Sequence, residues 1–104
     1  MKIKERDGEV VDVYAVYFIG GDVNFLGMPK NYGGLSAFLA REVEIVESEM
    51  KYNSIYFKNN GYGIYHWALI KEKLLDDLLE LDETAYKRFL EIVKAEGLVD
   101  PDFY

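Results

Sequence analysis

His66 is the only histidine of the 104-residue chain, which contains no cysteine. A catalytic histidine needs a nucleophile or substrate within hydrogen-bond reach and a carboxylate that orients its ring. Serines occur at Ser36, Ser48 and Ser54, but none of them lies in a nucleophile-elbow pattern. The sequence therefore favours a structural strand histidine packed beside Trp67, and it predicts a protein that is not an enzyme.

Carboxylates are the only abundant metal ligands, because one histidine cannot supply the nitrogen and sulfur ligands of a zinc site. A carboxylate site for magnesium or calcium stays open on composition, although no calcium-loop spacing occurs. Asp76, Asp77 and Glu80 would gather on one helical face, but that face is the solvent side of a leucine stripe. The glycine pairs lack the spacing of a phosphate-binding loop and predict turns: Gly20-Gly21, Gly33-Gly34 and Gly61-Tyr62-Gly63. We expect neither a metal nor a cofactor.

The acidic residues are unevenly distributed along the chain. Residues 1–41 contain five basic and five acidic side chains, whereas residues 42–104 contain seven basic and fourteen acidic ones and carry the whole net charge of −7. The acids cluster within 42–49 and within 72–83. The negative electrostatic field of such clusters accelerates encounter with a cationic surface and repels anionic competitors. The alternative is an acidic surface that only keeps a small domain soluble.

Tyrosines supply the second feature of a binding surface. A tyrosine offers a large contact area with a polar tip and is enriched in interface hot spots. Four tyrosines surround a predicted hairpin, and strand alternation favours Tyr52 and Tyr56 as exposed, with Tyr65 in the core. The predicted partner-binding residues combine these two tyrosines with the acids: Glu42, Glu44, Glu47, Glu49, Tyr52, Tyr56, Asp76, Asp77 and Glu80.

A single domain over residues 1–104 must position these side chains. Half of the residues are apolar, so one core can be filled without disulfide or metal. Residues 35–50 fit both a helical stripe and a strand alternation, and we predict a short helical turn at 36–40 followed by a strand at 41–47. The sequence of residues 2–34 predicts four segments: strands at 2–5, 10–19 and 23–26, and a surface loop at 27–34.

The second half of the chain predicts a hairpin followed by two helices. Residues 54–58 and 62–69 flank Asn59-Asn60-Gly61, where positive φ is cheap for a tight turn. A leucine stripe between 71 and 81 predicts one helix, and Asp82 is expected to cap a second that Gly97 ends. The buried face of this second helix is predicted as Tyr86, Phe89, Leu90 and Val93. The fold class is therefore α+β, an antiparallel sheet of about four to five strands with two C-terminal amphipathic helices packed on it.

The small size, the acidity, the absence of cysteine and the aromatic-rich α+β pattern together resemble the small acidic immunity proteins that protect bacteria from toxins. The resemblance is one of overall character and contains no motif, so it transfers no site residue. It implies one-to-one binding that blocks a toxin, often a nuclease whose active site is positive. A related variant is a phage-type inhibitor whose carboxylates imitate the phosphates of nucleic acid.

We expect a cytoplasmic protein that binds a basic protein, and neither nucleic acid nor membrane. The longest apolar run, residues 13–19, is far shorter than a membrane span, and a negative surface is repelled by nucleic acid and anionic lipid. Two other functions stay open. A pocket around His66 would favour a small enzyme or ligand-binding domain, and an uncovered edge strand would favour a subunit that pairs with another chain.

Overall fold

Seven antiparallel strands and three helices form the fold in the computed structural model, which describes residues 1–58 and 61–104. The predicted α+β class is confirmed, with more strands than four to five and one helix more than two. The elements are β1 (Lys2–Lys4), β2 (Val10–Ile19), β3 (Asp22–Met28), β4 (Ser36–Leu39), a 3-10 turn (Ala40–Glu42), β5 (Glu44–Glu47), β6 (Ser54–Lys58), β7 (Tyr62–His66), α1 (Trp67–Lys71), α2 (Leu75–Leu79) and α3 (Glu83–Ala95).

The central strand β2 holds two branches of the sheet together. Its β-branched and aromatic composition suits a strand that pairs with other strands on both sides. One side pairs with β3, whereas the other pairs first with β1 and then, over Ala15–Phe18, with β7. A register shift between Val13 and Ala15 marks a β-bulge at Tyr14, which bends the strand between its two partners. The sheet order is therefore β4-β3-β2-β1-β5, with β7 and β6 as a second branch beside β2.

Two apolar clusters lie on opposite faces of this sheet. The larger cluster fills the space between the sheet and the helices, and Ala15 belongs to it, together with Leu78 of α2 and Phe89 of α3. The smaller cluster contains Val13, and Val16 packs against it, because the bulge at Tyr14 shifts the alternation of side chains by one residue. The helices cover only the first face, which we call the inner face. The other is called the outer face below.

The prediction for residues 36–47 is wrong at its start. Ser36–Leu39 is a strand, not a helical turn, and it pairs with β3 over Asn24–Gly27. The turn follows at Ala40–Glu42, and the next strand begins at Glu44. The ladder with β3 hydrogen-bonds one side of Ser36–Leu39 and places Phe38 beside Phe25, so tertiary pairing overrides the local helical spacing.

The predicted hairpin strand 62–69 is too long. Strand β7 ends at His66, and Trp67–Lys71 forms helix α1. The segment is apolar on both faces, a pattern that fits a buried strand and a buried helix equally well. The predicted turn, Asn59-Asn60-Gly61, includes Asn59 and Asn60, which lie outside the described residues. The adjoining Gly61 packs so closely against the Phe18 carbonyl oxygen that a Cβ atom there would clash.

The prediction of one helix from the leucine stripe between residues 71 and 81 is only partly confirmed. The chain forms two short helices there, separated by Lys73 at φ 56°. Leu74 and Leu78 are buried as predicted, but Leu79 and Leu81 are exposed. A continuous helix would present one stripe, whereas the left-handed residue after α1 reorients α2 and turns its last leucines towards solvent.

Helix α3 begins and ends as predicted. The Asp82 carboxylate accepts a hydrogen bond from the Ala85 backbone N–H at 2.8 Å, which caps the helix. Gly97 has φ 72°, and the Leu98 N–H donates to the Val93 carbonyl at 3.0 Å. The predicted buried face, Tyr86, Phe89, Leu90 and Val93, is confirmed. Within the described chain, no helix combines the length and apolar character that crossing a membrane requires.

Candidate binding surface

His66 is fully enclosed, with 0% of its surface exposed, and it belongs to a hydrogen-bond network that reaches the surface at Glu96. Its Nδ1 accepts a hydrogen bond from the Ala68 backbone N–H at 3.0 Å, and its Nε2 lies 2.7 Å from Glu96 Oε1. A ring nitrogen that accepts from a backbone N–H carries no proton, so Nε2 holds the proton and donates it to Glu96. The geometry therefore selects one neutral tautomer, and the histidine caps helix α1.

Glu96 follows the last residue of α3 and joins two aromatic side chains. Its Oε2 accepts a hydrogen bond from Trp67 Nε1 at 2.7 Å. Burial lowers the pKa of His66, and the hydrogen bond to Glu96 opposes this effect without overcoming it. Both ring nitrogens are therefore engaged in a neutral, enclosed side chain that offers no free atom to a substrate. Glu96 had no sequence signal, because it lies thirty residues from His66.

Tyr52 is not the exposed residue that the strand alternation predicted. It packs half-buried against the larger cluster, with its ring centre 4.9 Å from that of His66. Its hydroxyl is buried, and burial raises its pKa. The alternation does not apply because residue 52 lies in the loop between β5 and β6. A polar cavity of about 190 Å³ adjoins Tyr52, Tyr14 and Asp12.

The first acidic segment, residues 42–49, is divided among a turn, a strand and a loop. Glu44 and Glu47 lie on β5, opposite Lys4 and Lys2 of β1. Lys51 Nζ approaches Glu47 at 3.3 Å, and this hydrogen bond lowers the pKa of the carboxyl group. Glu47 is thus partly neutralised by neighbouring lysines. The two remaining predicted acids of this segment are exposed, Glu42 in the 3-10 turn and Glu49 in the following loop.

A wide cleft near β1 adjoins a group of three clustered carboxylates. It measures about 540 Å³, and Glu5, Asp7 and Glu42 contribute to its wall together with Arg6. The carboxylate oxygens of Glu5, Asp7 and Glu9 lie within 4.8 Å of one another, a spacing that a cation would accept. Exposed acidic groups of this kind are common on proteins without a metal function. The cluster alone does not establish a metal site.

The second predicted acidic group lies on helix α2. Asp76, Asp77 and Glu80 are exposed, and none of them forms an ion pair within residues 1–58 and 61–104. The flanking acids differ, because Glu72 pairs with Arg88 at 2.7 Å and Glu83 pairs with Lys87 at 3.0 Å. The two acidic segments therefore lie on separate elements, with β5 at one edge of the sheet and α2 in the helical layer.

The outer face of β6, β7 and β2 carries an exposed aromatic surface that sequence alternation only partly predicted. Directly paired residues share a face, and the pairs Tyr56–Ile64, Ile64–Val16 and Tyr62–Phe18 connect the three strands. The Tyr62 ring stacks on Phe18 at 5.2 Å and lies 6.3 Å from the Tyr56 ring. We define the tyrosine patch as Val16, Phe18, Tyr56, Tyr62 and Ile64.

The three outermost side chains of the tyrosine patch remain largely accessible. Tyr56 is 64% exposed, Tyr62 51% and Ile64 42%, whereas Tyr65 on the same strand is buried as predicted. Contiguous apolar side chains that no layer covers are a mark of interaction surfaces. The prediction that Tyr56 is accessible is confirmed, and Tyr62 joins it because its pairing with Phe18 places it on the same face.

An apolar groove lies under the other face of β6. Its volume is about 330 Å³, and it runs between Phe57 and the first two helices. Asp76 belongs to its wall, so the second acidic group adjoins the groove. We define the groove by its lining residues: Phe57, Leu69, Ile70, Lys73, Leu75 and Asp76.

Strand β6 thus separates the tyrosine patch from the groove. Comparisons of the chain with protein-family models, with curated proteins and with solved structures found no match.

Proposed function

We propose that this protein binds a basic protein partner and neutralises it, as the small acidic immunity proteins do with toxins. The observation that carries this proposal is the tyrosine patch. Tyr56, Tyr62 and Ile64 expose about half of their surface on a sheet face that the helices leave uncovered. Tyrosines in such a position provide rigid contact area with hydroxyl groups for hydrogen bonding, and they are frequent hot spots.

The charge distribution supports a basic partner over a neutral or acidic one. The chain carries a net charge of −7, and Asp76, Asp77 and Glu80 lie on the helix that borders the groove under β6. Unpaired acids on the groove side of β6 would accelerate encounter with a cationic protein and disfavour anionic competitors. A toxin domain that handles nucleic acid has a positive surface of this kind, which makes a nuclease toxin the favoured partner class.

The alternatives receive less support. An enzyme that uses His66 would need access to its ring, but the side chain is enclosed and borders none of the three cavities described above. An inhibitor that imitates nucleic-acid phosphates would need a continuous array of acids, whereas the two acidic segments lie on separate elements. Binding of a basic protein requires neither condition.

Affinity capture from an extract of the source organism tests this proposal. The immobilised protein is expected to retain a basic protein, which mass spectrometry identifies, and to lose it when both Tyr56 and Tyr62 are changed to alanine. Tyr32→Ala is the matched control, because Tyr32 is also exposed but lies in the loop before β4. Equal retention by the double variant, or retention of acidic proteins alone, would overturn the proposal.

A further inference from the structure

Strand β6 is an edge strand with unpaired backbone groups. It pairs with β7 on one side, and within the described chain no backbone hydrogen bond reaches its other side. The Trp67 N–H donates to the Asn53 carbonyl at 2.9 Å, so these two residues form a hydrogen-bonded pair. Such pairs alternate along an antiparallel ladder. It follows that Ile55 and Phe57 bond to β7, while three residues direct their N–H and C=O groups to the open side: Ser54, Tyr56 and Lys58.

Beside the open side of β6, each face of the sheet offers a surface that could contact the side chains of an added strand. Above it lies the tyrosine patch, and below it lies the groove between Phe57 and Leu75. A strand added there would send alternate side chains to the two surfaces, because the side-chain period of a strand is two. Backbone hydrogen bonds would give affinity and the two surfaces would give specificity, which is the usual division in strand addition.

Strand β5, which lies at another edge of the sheet, differs in its protection. Strand β5 is one residue shorter and carries Glu44 and Glu47, and charged side chains on a short edge discourage pairing. Strand β6 contains no acid, has a single Lys58 at its end and is otherwise rich in strand-forming residues. An exposed edge of this composition is a template on which another strand can pair.

The charges around the groove select that strand. Asp76 and Lys73 both lie in the groove wall, and Asp77 of α2 and Glu80 directly after that helix add two more acids. Pairing of β6 with β6 of a second copy would join two molecules of net charge −7. An extended segment of a basic protein avoids this repulsion between net charges, and a lysine or arginine on its groove-facing side can pair with Asp76.

We propose that β6 accepts one extended strand of the basic partner by antiparallel or parallel strand addition. The strand places an apolar side chain in the groove against Phe57 and Leu75, and a basic side chain two residues away near Asp76. Its opposite side chains pack on Tyr56. This inference rests on the proposed function, which supplies the basic partner, and it adds the site and the mode of binding.

Proline at position 54 separates strand addition from ordinary surface contact. Ser54→Pro removes an N–H that points to the open side and leaves the Asn53 carbonyl free to accept from Trp67. Ser54→Ala is the matched control, because it keeps the N–H and also loses the serine hydroxyl. Neither change alters the tyrosine patch. Thermal unfolding of both variants verifies that they fold.

The probe is a synthetic seven-residue peptide, blocked at both ends, in which threonine alternates with leucine and lysine. Titration into isotopically labelled protein is expected to shift the amide resonances of Ser54, Tyr56 and Lys58 and to slow their hydrogen exchange. Ser54→Pro is expected to weaken binding about tenfold or more, with Ser54→Ala within about twofold. A peptide with glutamate in place of lysine should bind more weakly, and Asp76→Asn should reduce this difference.

Several results would overturn strand addition. They are the absence of amide shifts at about 1 mM peptide, equal binding by Ser54→Pro, and a wild-type dimer that Ser54→Pro converts to a monomer. The captured partner distinguishes this failure from failure of the proposed function. If the basic protein binds wild type and Ser54→Pro equally but not the Tyr56 and Tyr62 double variant, the function stands and only the strand mode is wrong.

Discussion

The two ends of strand β7 differ in the solvent exposure of their side chains. At its beginning, Tyr62 and Ile64 lie on the outer face and remain about half exposed. At its end, His66 would share that face by period two, yet it is buried against Tyr14 and Phe89 because the strand stops there and α1 begins. The same strand therefore contributes to a closed network and to an open surface.

The difference lies in which hydrogen-bonding groups have partners. Hydrogen bonds join His66 and Trp67 to Glu96, so the network stabilises the junction between β7, α1 and α3 and leaves no ring nitrogen of His66 for a ligand. On β6 the outward backbone groups and the tyrosine hydroxyls face solvent. Buried polar groups that are fully bonded specify structure, whereas exposed aromatic side chains beside an unpaired edge are available to a partner.

The largest expected effect concerns the core below the network. Phe89→Ala removes a fully buried ring and should lower the free energy of unfolding by about 3–5 kcal/mol. Asp76→Ala should change it by less than about 0.5 kcal/mol, because Asp76 is exposed and unpaired among the described residues. Urea denaturation measures both variants. A larger loss for Asp76→Ala would show that the inner and outer sides of the helical layer are assigned in reverse.

A smaller loss is expected when the network loses its carboxylate. Glu96→Ala leaves the buried His66 Nε2–H without its acceptor and should cost about 1–3 kcal/mol. Glu91→Ala is the control, since Glu91 on the same helix forms only an exposed pair with Arg88. Partner binding should be unchanged in both folded variants. Loss of binding by Glu96→Ala alone would transfer the functional role from the β6 surface to the network.

Binding kinetics should separate tyrosines from acids. Tyr56→Ala is expected to accelerate dissociation of the captured partner by about tenfold, as removal of a hot-spot ring does. Reversal of Asp76, Asp77 and Glu80 to lysine should instead slow association and flatten its salt dependence. Reversal of Glu42, Glu44 and Glu47 should have the smaller effect, because they lie at the β5 edge and Glu47 is already paired. If neither salt nor either set of charge reversals changes the association rate, the acids serve solubility and not binding.

The smallest effect is a pH dependence of stability. Burial lowers the pKa of His66 in the folded state, so the unfolded chain binds more protons between that lowered value and about 6.5. Stability from this group is complete above about pH 6.5 and falls as the pH decreases through the folded-state pKa. His66→Gln should abolish this component and preserve binding, since glutamine can still donate to Glu96. A folded His66→Gln protein that binds its partner but has lost its biological activity would favour the enzyme alternative.

The sequence by itself determined the elements whose signals are local. The β-branched and aromatic run of β2, the Asp82 cap of α3 and the Gly97 stop all act through φ/ψ preferences and hydrogen bonds within a few residues. The excess of acids and the accessibility of Tyr56 could likewise be predicted from the sequence. Net charge is a sum over residues, and the side chains of β6 alternate between the two faces of the sheet. These features depend little on the rest of the chain.

Only the tertiary structure decided the remaining features. The pairing of Ser36–Leu39 with β3, the division of β2 between β1 and β7, and the contact of Glu96 with His66 join distant residues that carry no mutual sequence signal. The same holds for the open side of β6 and the groove beside it. A strand's composition predicts that it pairs, but which of its sides stays unpaired depends on where every other strand and helix packs.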